Sequence, residues 1–138
     1  MKDIDRRSAF AFGVTTAAAP ALLWTQPAAA QPHGPDAGKE VAPGVREVIL
    51  AEIDSPITGY RRVRLLDYVF QPGAEIPAEA MEHPMACHML EGELEVIKDG
   101  RRFTARKNDL WTCNTGTMEG DANKTRSVAI MRVVEFMA

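Results

Sequence analysis

Turn formers recur so closely along residues 45–138 that no stretch between them shows sustained helical periodicity with caps. Across the whole chain Gly and Pro number 10 and 9, and in this region they separate short runs rich in β-branched and aromatic residues. Short strands at regular spacing, joined by turns, make an all-β barrel or sandwich. The strongest turn signal is Asp99-Gly100, because both central positions of a type I′ hairpin turn need positive φ.

The expected strands are runs between turn signals, with partial period-2 alternation in residues 45–53. Residues 45–53 are β-rich, and residues 54–59 make a turn. Residues 60–70 form the next strand, with its arginines on a solvated face. Residues 89–97 alternate acids with apolar side chains after Gly92, as a half-buried strand does. Residues 101–105 and 109–113 follow, residues 114–124 read as a polar loop, and residues 127–136 close the domain.

The first thirty residues carry an address instead of a fold. Lys2, Arg6 and Arg7 precede a mildly apolar stretch ending at Trp24, and the small residues Ala28, Ala29 and Ala30 follow. That is the plan of a signal peptide cleaved after Ala30. The Arg6-Arg7 pair resembles a twin-arginine export signal, a route that carries folded proteins, often with a cofactor inserted. A membrane anchor is the weaker reading, since Gly13, Thr15, Thr16 and Pro20 interrupt the roughly 20 apolar residues a spanning helix wants. The expected location is the periplasm, with no membrane association after cleavage. Residues 31–44, rich in turn formers at their start, are expected to form a flexible lead-in, and residues 45–138 the barrel domain.

Charge excludes some partners. Residues 1–30 hold three of the 16 bases and two of the 19 acids, which leaves 13 and 17 and a net charge of −4. Nucleic acid would call for a basic face, and none is evident.

From Pro72 to Asn123 the chain resembles the cupin superfamily. The family's first motif, G-x5-H-x-H-x3-E-x6-G, opens here at Gly73 and closes at Gly92. The second, G-x5-P-x-G-x2-H-x3-N, is matched by Gly116 and Asn123, with Asn108 where the family has Gly. Asn tolerates left-handed backbone, so that exchange is mild. The resemblance implies a double-stranded β-helix, or jelly-roll barrel, with a site in its mouth. It also implies four metal-ligand positions, and these hold Glu79, Met81, Met85 and Glu119. No three-histidine, one-carboxylate iron or manganese site can be built from them. Cupins commonly dimerise, so a homodimer is implied as well.

Two chemistries suit what stands there instead. Met81, His83, Met85, Cys87, His88 and Met118 offer thioether, imidazole and thiolate, the soft donors of a copper-type ion. Met also packs irregular gaps well, so a filled interior is the competing reading. Glu79 and Glu119 would face one cavity as an acid/base pair, if they are not simply rim residues in water. Cys87 and Cys113 are the only cysteines. A disulfide, a metal ligand and inert packing are all open to them. The sequence thus points to an exported single-domain barrel binding a small ligand or soft metal. An isomerase-, lyase- or oxygenase-type enzyme using Glu79 and Glu119 is the alternative, and an inert structural or partner-binding barrel the third.

Overall fold

Gly92 is where the chain leaves one sheet for another. It has φ of 71°, and a Cβ there would lie 2.7 Å from the carbonyl oxygen of Val128 and 2.9 Å from Cα of Ala129. The computed structural model describes residues 32–138; the export signal read from residues 1–30 lies outside them. The described residues hold ten strands. They are β1 (Lys39–Ala42), β2 (Val45–Asp54), β3 (Arg62–Phe70), β4 (Glu75–Ala80), β5 (Met85–Glu91), β6 (Glu93–Lys98), β7 (Arg101–Arg106), β8 (Leu110–Cys113), β9 (Met118–Ala122) and β10 (Ala129–Met137).

A six-stranded sheet in the order β1-β2-β3-β10-β5-β8 packs on a four-stranded sheet in the order β4-β9-β6-β7. Every pairing is antiparallel. This is an all-β jelly-roll barrel. Strand alternation builds its core. Leu66 and Phe70 of β3 point inward opposite Val133 and Ala129 of β10, and Val133 and Met131 stand opposite Cys87 and Met89 of β5. Leu94 and Val96 of β6 close the core from the smaller sheet, and all of these are at most 3% exposed. Each large apolar side chain so buried contributes roughly 1.5–3 kcal/mol.

The turn chemistry is as the sequence suggests. Asp99 and Gly100 have φ of 48° and 77° and join β6 to β7, and Asn108 has φ of 72°.

Three expectations are corrected. Residues 89–97 do not form one strand, because Gly92 divides them between β5 and β6 in different sheets. Residues 114–124 are not a loop throughout, since β9 lies among them and is paired on both sides, with β4 and β6. Its sequence, Met-Glu-Gly-Asp-Ala, lacks strand-forming side chains, and its place is set by its neighbours. Finally, the segment expected as a flexible lead-in carries β1, and His33 from it reaches Asp67 with Nε2 2.7 Å from Oδ2. Asp67 sits on the outer side of the large sheet with no exposed surface. Nε and a terminal nitrogen of Arg132 bind its two oxygens at 2.8 and 2.9 Å. Burial would push the Asp67 carboxyl up, but the hydrogen bonds from Arg132 and His33 outweigh it and hold the carboxyl below its ordinary value.

Candidate functional site

Inward-facing residues of β2, β3, β4, β5, β9 and β10 leave the mouth of the barrel unfilled. The cavity there measures about 290 Å³, at the small end of the range for ligand pockets. Glu79 of β4 and Glu119 of β9 are register partners, and both line it. Met81 and Met85 line it as well. The four positions picked out by the cupin spacing therefore converge on one cavity.

The depths of the two carboxylates differ. Glu79 stands on an exposed edge strand. Glu119 is 3% exposed and has dedicated donors: Nε1 of Trp111 donates to both its oxygens at 3.1 and 3.2 Å, and Sγ of Cys113 donates to Oε2 at 2.7 Å. Trp111 is fixed in turn by an edge-on contact with Phe103, ring centroids 5.7 Å apart.

Asp121 lies two residues along β9 on the same face. It is 7% exposed, it lines the cavity, and its Oδ1 has no hydrogen-bond partner. Burial, reinforced by the charge of Glu119, pushes its pKa up to about 8. Across the cavity, the hydroxyl of Tyr68 donates to Oε2 of Glu47 at 3.1 Å. Burial and that carboxylate keep Tyr68 a neutral phenol. Arg64 contacts Oε2 of Glu52 through Nε at 2.9 Å and Oε2 of Glu135 at 3.4 Å. Burial raises the Glu135 carboxyl above its usual range. The expectation of a solvated face for the arginines of this strand thus holds for Arg61 and Arg62 at its start, which are exposed, and fails for Arg64, which is half-buried and lines the cavity with Tyr68.

The six proposed soft-metal donors are not brought together. Met81, His83 and Met85 line the cavity. Cys87 is fully buried in the core on the same face of β5. His88, the next residue, points to the opposite face of that sheet, and Met118 of β9 is 44% exposed outside the cavity. Strand alternation is the reason: adjacent residues on an extended strand cannot share a face. Cys87 and Cys113 are free thiols on the neighbouring strands β5 and β8. Hydrogen bonding to the sulfur of Cys113 and burial push the Cys87 thiol far up, which keeps it protonated in the core.

The iron or manganese set of the fold family does not fit these residues. Its positions offer two carboxylates and two thioethers, and the oxygens of Glu119 are already engaged. Among the described residues no three His, Cys, Asp or Glu side chains are arranged to hold one metal ion.

Asp121, Glu47, Arg64, Tyr68 and Glu135 are among the cavity residues that sequence reading missed. A signal for Glu135 and Tyr68 was present, since each shares the inward parity of apolar neighbours two residues away. For Asp121 the signal appears only once β9 is known to be a strand.

No protein-family model matches the chain, and no curated protein does. Solved structures do. A RmlC-like cupin from Shewanella frigidimarina is 19% identical, with a TM-score of 0.60 over 72% of this chain and 82% of that one. KdgF from a Halomonas species is 18% identical, with a TM-score of 0.60 over 72% and 86%. The cupin domain of a transcriptional regulator from Enterobacter cloacae is 15% identical, with a TM-score of 0.56 over 69% and 98%. The chain has the cupin fold.

Proposed function

We propose that this cupin-fold chain is a small-ligand-binding protein whose ligand sits in the cavity between Glu79, Glu119 and Asp121. The observation that carries the reading is that Asp121, which lines that cavity, keeps a buried Oδ1 with no hydrogen-bond partner. A buried polar atom left without a partner costs about 1–3 kcal/mol. A ligand that hydrogen-bonds to it recovers that cost, and the apolar side chains of Ile76, Met131 and Val133 supply the rest of a binding wall. The export signal read in residues 1–30 would put this site in the periplasm.

Soft-metal binding is the second reading. What favours it is that two thioethers and an imidazole, from Met81, Met85 and His83, line the same cavity.

Amide chemical-shift mapping with a mixture of small amines, acids, alcohols and ureas tests the first reading. Binding should perturb the amides of Met85, Glu119 and Asp121, and Ala80→Trp at the cavity wall should abolish it. Perturbations that lie elsewhere, or that survive Ala80→Trp, overturn it. Anaerobic Cu(I) titration tests the second: tight binding lost in Met85→Leu supports it, and affinity unchanged by that substitution ends it.

A further inference from the structure

The cavity is lined by six carboxyl side chains against a single guanidinium, Arg64. That guanidinium already meets Glu52 and Glu135, and the acids around it outnumber it six to one, so the lining is unfavourable to an anion. Glu119 is the most buried of these carboxylates and its oxygens are engaged, whereas Asp121, 7% exposed and lining the cavity, has an Oδ1 with no hydrogen-bond partner. Apolar side chains lie among the acids: Ile76 beside Asp121 in register, and Met131 and Val133 along β10 with Glu135. A bare divalent metal does not suit this arrangement, since among the described residues no three ionisable side chains are placed to close around one ion. A cation whose charge is spread over several N–H donors does, because each donor can meet a different carboxylate while an alkyl stem lies on the apolar side chains.

We infer that the cavity selects small organic cations of the alkylguanidinium kind, with Asp121 as the buried acceptor not already engaged and Glu79 as an acceptor at the rim. The inference rests on the cavity being the ligand site and adds the chemical class of the ligand.

Proton linkage gives it a second signature. Asp121 holds its proton up to a pH of about 8. The groups around it are Glu119 on its own strand, Glu79 on β4 and Cys87 on β5. Glu47 on β2, Tyr68 and Arg64 on β3, and Glu135 on β10 face it across the cavity, with His83 and Glu82 at the rim. β6 offers only Val96. An entering cation favours the ionised form of Asp121, so binding releases a proton and strengthens as pH rises towards and past 8.

The test is calorimetry on the full chain with n-butylguanidine, its neutral isostere N-butylurea, and hexanoate, at pH 6.5 and 8.5 in buffers of different ionisation heat. The inference expects n-butylguanidine alone to bind, several-fold more tightly at the higher pH and with proton release. Asp121→Asn should weaken it about tenfold, the loss of one charge-assisted hydrogen bond. Glu79→Gln, on an exposed strand where folding is not at risk, should weaken it by a smaller factor. Binding that is indifferent to Asp121→Asn, or that shows no rise with pH, overturns the inference. Calcium binding more tightly than n-butylguanidine at the same amides overturns it too. Urea or hexanoate binding in the cavity in place of the cation overturns the ligand class and leaves the cavity as the site. No binding of any of the three at the cavity amides overturns both.

Discussion

The thiol of Cys113 donates to Oε2 of Glu119 at 2.7 Å, which ties a core cysteine of β8 to the most buried carboxylate of the cavity. With Nε1 of Trp111 as second donor, Glu119 is a held group, whereas Asp121 beside it is not. Trp111→Phe and Cys113→Ala each remove one donor and leave an oxygen of Glu119 underpaired. Each should lower stability by about 1–3 kcal/mol in urea unfolding. Glu119→Leu in the Trp111→Phe background should cost less than the two single losses added, because the two residues act as one unit. Strict additivity would show that the contact carries no energy.

Asp121 should make stability depend on pH over a definite window. Its ordinary pKa is 3.8 and its folded value is about 8. Between the two, the folded chain holds a proton that the unfolded chain has lost. The contribution is therefore fully present below pH 4 and is lost as pH rises through 8. Asp121→Asn should remove this dependence and leave the variant more stable than the parent at pH 8.5, by an amount on the order of a few kcal/mol. Denaturation midpoints from pH 5 to 9 measure it, and parallel curves for the two proteins would refute the assignment.

Arg132 neutralises a carboxylate with no exposed surface. Arg132→Met leaves Asp67 charged, buried and held by His33 alone, and should cost about 3–5 kcal/mol. His33→Ala removes the weaker partner and should cost about 1 kcal/mol. In Arg132→Met with Asp67→Asn much of the loss should return, since the uncompensated charge is gone. Thermal unfolding of the four proteins at pH 7 checks the order.

Gly92 and Gly100 share a positive φ but differ in surroundings. A side chain at Gly92 meets backbone atoms at 2.7 and 2.9 Å, while at Gly100 nothing lies within 4 Å. Gly92→Ala should destabilise by at least about 2 kcal/mol, from φ strain and a clash that backbone cannot relieve cheaply. Gly100→Asn should stay within about 0.5 kcal/mol, because Asn tolerates left-handed backbone in an open turn. Equal effects in unfolding experiments would mean that the sheet switch at Gly92 can move.

What the chain alone determined is local and periodic. Turn residues at Asp99-Gly100 and Asn108, the β-rich runs at residues 45–53, 60–70 and 127–136, and the spacing from Gly73 to Asn123 depend on neighbours in sequence. They were enough for an all-β barrel or sandwich, and the resemblance of that spacing to the cupin motifs implied the jelly roll and one cavity for Glu79 and Glu119. Tertiary structure decided the rest. β9 is a strand because β4 and β6 hold it on both sides, although its own residues favour no such state. His88 and Met118 fall outside the cavity because a strand's facing is set by register, and a single residue of offset reverses it. Asp121 matters because packing removes its water and gives Oδ1 no partner, and that is a property of surroundings built from strands distant in sequence.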